Sequence, residues 1–180
     1  MGPVLVPVDF SDCSKAALAL ATQVGLWVDA PLLVLHVVHD RRDRPGFYGR
    51  GDHNGGSFHI RDSAQRMMAG FLEDFAGEFP DLRKARIESR LIEGIPARRI
   101  VEVASLTRTR LVVMASEPKS GIRRVMEGST AEQVSRRCPV PVTLLQTPPG
   151  ACESRADDLL SRLRRQGAGD PAPGAGLAHA

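Results

Sequence analysis

Five short strand-like segments, each separated from the next by an amphipathic stretch, constrain this chain more than any other feature. Val4 to Val8, Leu32 to Val38, Leu111 to Ala115 and Val140 to Leu145 are short runs rich in Val and Leu, and Arg86 to Glu93 reads as a further strand. Runs of that length without polar alternation suit strands buried on both faces. Pro7 lacks a ladder donor and is expected near the end of the first strand. Between the runs, apolar residues recur at helical spacing. Ala16, Ala17, Leu20, Ala21 and Val24 form one such face, with Ser11 or Asp12 as the N-cap of a helix through about Val24. Met67, Met68, Phe71, Leu72 and Phe75 form a second, within a helix over 60–78. Ile100, Val101, Val103 and Ala104 form a third, opened by Gly94-Ile95-Pro96 with Pro96 in the first turn. A short fourth helix is predicted from Gly128-Ser129 through Arg137. The order β-α-β-α-β-α-β-α-β predicts a doubly wound parallel sheet with helices on both faces. Ligands of such sheets bind beyond the carboxyl ends of the strands, here the segments after Val8, Val38 and Ala115.

Composition agrees with this plan and narrows the function. Eight aromatic residues, six Phe with one Tyr and one Trp, leave the core to aliphatic side chains. No apolar run approaches the ~18 residues of a membrane span. The N-terminus lacks the basic and apolar pattern of a signal peptide, so a cytoplasmic location is expected. Lys+Arg 24 against Asp+Glu 21 gives a net charge of +3. Without clustering or a recognised nucleic-acid module, that charge speaks for solubility and against nucleic-acid binding. Cys13, Cys138 and Cys152 form no C-x-x-C pair and no dense disulfide framework. Cys13 lies near a helix N-terminus, which lowers thiol pKa, but reads best as a small helix residue.

Two segments depart from the alternation. Residues 39–59 are polar and glycine-rich and read as one long loop. Residues 147–180 read as a Pro/Gly-rich tail, with a short amphipathic helix over 153–166 carrying Leu159, Leu160 and Leu163. The domain is therefore placed at 1–146.

The chain resembles the universal stress protein family. The resemblance covers about 3–146 and rests on Pro7-Val8-Asp9-Phe10-Ser11, Leu35-His36-Val37-Val38, Gly94-Ile95-Pro96, Val112-Val113-Met114 with the later Gly128-Ser129, and Pro139-Val140-Pro141-Val142. It implies strand order 3-2-1-4-5 and a Rossmann-like fold. It also implies a nucleotide site, for ATP or AMP with Mg2+, formed by Pro7, Asp9, Val37, Ala115, Gly128 and Ser129. Asp9 and the Val37 backbone would take the ribose and adenine end, and Gly128 and Ser129 the phosphates. Nucleotide-binding members carry G-x-x-G, nine residues, then G-S or G-T. Here Ala115 and Pro118 replace the two glycines, nine residues before a retained Gly128-Ser129. Pro118 removes an N–H donor and fixes φ, and Glu117 adds negative charge. Lys119, Arg123 and Arg124 offer charge-assisted phosphate contacts, or form a solvated loop face. Ser129 with Glu132 reads equally as a capping box.

Two principal readings follow. In the first, the chain is a dimeric regulatory or interaction module of the stress response with weakened or absent nucleotide binding. In the second, it is an ATP/AMP-binding stress protein with nucleotide at the Asp9/Val37/Gly128-Ser129 cleft. The resemblance implies a homodimer through the last strand, with Val140, Val142 and Leu144 at the edge, and leaves room for a protein partner. A catalytic role finds no support, since no nucleophile elbow, Walker loop or H-E-x-x-H is present; slow ATP hydrolysis would require that nucleotide binds. His36, His39, His53 and His59 lack the spacing of a metal site. His36 reads as a satisfied core histidine, and no metal is expected.

Overall fold

A computed structural model describes residues 2–39, 57–116 and 130–146, together with Ser161. Along the chain run β1 (Val4–Pro7), α1 (Asp12–Trp27), β2 (Leu32–Val38), α2 (Ser57–Glu78), β3 (Ile87–Glu93), α3 (Pro96–Leu106), β4 (Leu111–Ser116), α4 (Thr130–Arg137) and β5 (Val142–Gln146). A short 3-10 turn (Pro80–Lys84) separates α2 from β3. The strands form one parallel sheet in the order β3-β2-β1-β4-β5. The expected fold class and strand order are therefore observed.

Alternation along the strands sorts the core into two layers. Val4, Val6, Val8, Leu32, Val34 and Val113 face one side, with α1 and the Met68, Phe71 and Phe75 face of α2. Leu5, Leu33, Leu35, Val37, Val112 and Met114 face the other, with Ile100, Val103 and Ala104 of α3 and Ala131 and Val134 of α4. Handedness explains the division. The first two crossovers move outward from β1 in one direction; α3 carries the chain back past β1 to β4. Right-handed crossovers of opposite direction place their helices on opposite faces.

The structure corrects several sequence boundaries. Helix α1 takes Ser11 as its N-cap, as expected, but runs to Trp27 rather than Val24. Its buried surface is also wider than one stripe: Cys13, Ser14, Leu18, Ala19 and Thr22 are buried beside Ala16, Ala17 and Ala21, whereas Leu20 and Val24 are only partly covered. Small residues let the helix sit close on the sheet, so more than one side loses solvent. Helix α2 begins at Ser57, so His59 is helical rather than part of a loop. Strand β5 begins at Val142, and Val140 lies outside it. The Pro141 carbonyl instead accepts a hydrogen bond from the Val112 amide at 3.0 Å, and Val140 packs on the α3–α4 layer. Most of the 39–59 segment and the predicted 153–166 helix lie outside the described residues.

Gly94, between β3 and α3, meets its architectural expectation. Its φ is +137°, and an added Cβ would lie 2.8 Å from Arg99 Nε. That guanidinium donates to the Glu93 carbonyl at 2.8 Å, so it has little freedom to move. Gly94→Ala is expected to lower unfolding free energy by about 1–3 kcal/mol, read as a lower urea midpoint at unchanged slope.

Candidate functional site

A cleft of about 550 Å³ opens at the carboxyl edge of the sheet, where β1 lies between β2 and β4. Strand order reverses direction about β1, and neighbouring crossovers leave on opposite faces, which keeps this end uncovered. The walls come from Pro7 to Ser14, from Leu35 to Val37, and from Met114 to Ser116. Pro96 and Ile100 of α3 and Thr130 and Ala131 of α4 complete the lining.

The polar centre is the turn from β1 into α1. The Ser11 and Ser14 hydroxyls each donate to Asp9 Oδ1 at 2.6 Å, and the Ser11 amide donates to the same oxygen at 3.2 Å. The Asp9 amide donates in return to Ser14 Oγ at 3.1 Å. Ser11 Oγ also caps the helix by accepting from the Ser14 amide at 3.2 Å. Ser11 and Ser14 are three residues apart at the start of a helix and so face the same side. Crowding by surrounding atoms raises the Asp9 carboxyl, but the two hydroxyls and the Ser11 and Asp9 amides outweigh it. The balance lies below the ordinary 3.8. Asp9 is thus a carboxylate at neutral pH with Oδ1 engaged internally, while the side chain as a whole remains exposed to the cleft.

Beneath the turn lies His36, buried on the α1–α2 side of β2. Its Nδ1 is 2.8 Å from the Val8 carbonyl. A carbonyl only accepts, so Nδ1 carries the hydrogen. Burial lowers the His36 pKa from 6.5, partly opposed by the Val8 bond and the Asp9 charge; the ring is neutral at pH 7. The core-histidine expectation is correct, and the same residue also lines the cleft. Phe10 stacks on its ring at 4.2 Å between centroids.

The structure brings Pro7, Asp9, Val37 and Ala115 together around this cleft. Gly128, Ser129, Lys119, Arg123 and Arg124 lie outside the described residues, as do Glu117 and Pro118. Sequence reading does not single out Ser14, Phe10 or Thr130 as site residues. The signal for Ser14 was present as Asp9-x-Ser11-x-x-Ser14, a cap serine with a second hydroxyl one turn on. Cys13 is a buried residue of α1 on the cleft wall, as expected, and is disulfide-bonded, which the sequence reading did not anticipate. Cys138 is a free thiol. Among the described residues no group of three or more His, Cys, Asp or Glu is arranged to hold a metal, and no helix is long and apolar enough to cross a membrane.

An open parallel α/β sheet with a cleft at its switch point defines a domain of the doubly wound, Rossmann-like class. The universal stress protein family model matches residues 1–146, and the chain belongs to that family. It is 28% identical over 145 residues to Universal stress protein MJ0531 of Methanocaldococcus jannaschii, covering 81% of this chain and 82% of that one. Solved structures of similar fold include a universal stress protein in complex with cAMP. That structure has a TM-score of 0.61 and 21% identity, covering 80% of this chain and 96% of the other. The universal stress protein from Archaeoglobus fulgidus in complex with dAMP matches with a TM-score of 0.56 and 21% identity, over 80% and 97% of the two chains.

The Asp9 cage carries a pH signature. Its folded pKa is depressed, so its contribution to stability is present above the unfolded value near 3.8 and is lost as pH falls through the lower folded value. The stability difference between wild type and Asp9→Asn is therefore expected to be constant above about pH 5 and to shrink below it, measured by urea unfolding across pH. A difference that grows as pH falls would contradict the cage.

Proposed function

We propose that this protein is a regulatory module that binds an adenosine nucleotide weakly at the cleft and acts through binding rather than turnover. The observation that carries the reading is the cleft itself. About 550 Å³ lies over β1, β2 and β4, with the Asp9 carboxylate and the polar Ser11, Asp12, Ser14, His36, Ser116 and Thr130 set among apolar residues such as Val8, Val37, Ile100 and Met114. That volume and polarity suit a purine nucleoside with few directed polar contacts. Nucleotides in two structures of the same fold, cAMP in one and dAMP in the other, support the choice.

Charge sets the orientation. Asp9 repels a phosphate and accepts from a hydroxyl or amine, so the ribose and base belong at Asp9 and Val37. The phosphates belong toward Ala115 and the Thr130 end of α4, where the helix dipole favours an anion, with the retained Gly128-Ser129 immediately before it in sequence. Ala115 and Pro118 stand where nucleotide-binding members have glycine. The first adds a methyl group to the phosphate path, and the second removes an amide donor. The phosphate end is the weak end, and hydrolysis has no assembled machinery among the described residues. Lys119, Arg123 and Arg124 would supply compensating charge, with Mg2+ joining only when a triphosphate binds.

Calorimetry with ATP tests this. Asp9→Ala is expected to weaken binding roughly tenfold. Ala115→Gly combined with Pro118→Gly is expected to strengthen it by about tenfold or more. Absence of heat with wild type and with the double variant alike would overturn nucleotide binding and leave the nucleotide-free interaction module.

We further propose a homodimer through the free edge of β5. Strand β5 pairs with β4 alone among the described strands, and an uncovered edge invites a second chain. Val142 and Leu144 pack partly on their own core, so a charge there would also test folding. Thr143 is exposed and is the cleaner position. Thr143→Lys is expected to sediment as a monomer at concentrations where wild type sediments as a dimer. A variant dimer equal to wild type would refute pairing through this edge.

A further inference from the structure

The turn that carries Asp9 is held in an unfavourable conformation, and one side chain accounts for how it is held. Phe10 has φ +66°, in the left-handed region that a bulky residue rarely occupies. Such a conformation persists only where neighbours over-determine it. Paired register between β1 and β2 ends at Pro7 opposite Leu35, and the Val8 amide still donates to the Leu35 carbonyl at 2.9 Å. Beyond that point the chain lifts off the sheet. His36 is the next residue of β2 and meets the departing chain in two ways. Its Nδ1–H donates to the Val8 carbonyl at 2.8 Å, and its ring stacks on Phe10 at 4.2 Å with 29° between planes. Phe71 of α2 closes the far side of the Phe10 ring, edge-on at 5.8 Å.

We propose that His36 is a positioning residue for the Asp9 carboxylate, fixing the residues on either side of it by hydrogen bond to Val8 and by stacking on Phe10. Packing alone does not call for histidine here. The neighbouring inward positions on this face of the sheet are Leu32 and Val34, and an imidazole in such a layer is costly unless its polar atoms are bonded. What the imidazole adds over leucine is a donor at Nδ1 within reach of a carbonyl that leads directly into Asp9. With Val8 and Phe10 both fixed, Asp9 Oδ1 meets Ser11 Oγ and Ser14 Oγ at 2.6 Å each, and the remaining carboxylate surface faces the cleft. The consequence for ligand binding rests on the nucleotide reading above; the positioning itself does not.

Three variants of the full chain separate a positioning role from simple packing. Asparagine places its amide nitrogen near the position of Nδ1, glutamine reaches nearer that of Nε2, and leucine keeps volume without a donor. The Asp9 carboxyl is titrated by 13C NMR with no nucleotide present. All three variants remove the imidazole charge that wild type carries at the acidic pH where Asp9 titrates, so they are compared with one another: the Asp9 pKa is expected to be lower in His36→Asn than in His36→Gln and His36→Leu by about half a unit or more. Asp12 and Lys15, 4.0 Å apart on the same helix, are common to all three and cancel from the comparison. A folded His36→Leu protein whose Asp9 titrates like that of His36→Asn would overturn the proposal. If leucine prevents folding, the asparagine and glutamine variants decide, and equal Asp9 titration in those two overturns it. ATP calorimetry on the same proteins is expected to follow the titration, with His36→Asn near wild type and His36→Gln weaker. Titration that moves as expected in a protein that never binds ATP would leave the positioning intact and remove the nucleotide reading alone.

Discussion

Burial of the sheet on both faces is the constraint from which the rest of this structure follows. Val4, Val6 and Val8 enter one layer, Leu5 the other, and β2 repeats the pattern with Leu32 and Val34 against Leu33, Leu35 and Val37. A strand with two dry faces needs a helix on each. Parallel pairing then requires every connection to cross the sheet. The helices cover the faces but not the carboxyl edge, and at β1 they part to opposite sides. The cleft is the space that this geometry leaves open. It needs no special device beyond the strand order, which is why its walls are mostly strand ends and first turns of helices.

Within that cleft, one turn concentrates the polar chemistry. Chain leaving a buried strand must enter α1 within a few residues. It does so through a left-handed Phe10 and an Asp9 whose Oδ1 receives two hydroxyls and an amide. The arrangement lowers the carboxyl pKa against the effect of burial and keeps a negative charge in the site. In the proposed nucleotide complex, that charge would turn the neutral end of the ligand toward β1 and its phosphates toward α4. The phosphate end is also where the chain departs from the nucleotide-binding pattern of its family, at Ala115 and Pro118.

Much of the fold was legible in the residues. Short strand segments alternating with helical periodicity identified all nine elements and their type, most plainly at β1, β2 and β4, whose burial on both faces leaves aliphatic runs without polar alternation, whereas the edge strand β3 is largely exposed. Ser11 as a cap, Pro7 at a strand end and Pro96 in a first turn were each dictated by local backbone chemistry. Boundaries were less legible. Helix α1 extends to Trp27 because a lone Gly25 does not end it, though the exposed Leu26 and Trp27 do not continue the buried face. Val140 falls outside β5 because Pro139 and Pro141 lack donors, and the ladder begins only after them.

The site divides along the same line. Local sequence determined that an acidic residue would follow the first strand at the head of a helix, and that hydroxyls would stand one turn apart beside it. It determined too that two glycines of the family pattern are missing, since that is a matter of which residues are present. Only the tertiary structure decided that His36, 28 positions away from Val8, donates to its carbonyl and carries the Phe10 ring. Sequence spacing describes neighbours on one element. The partners of a turn between elements come from whichever strand the sheet places beside it, and that is set by the packing of the whole domain.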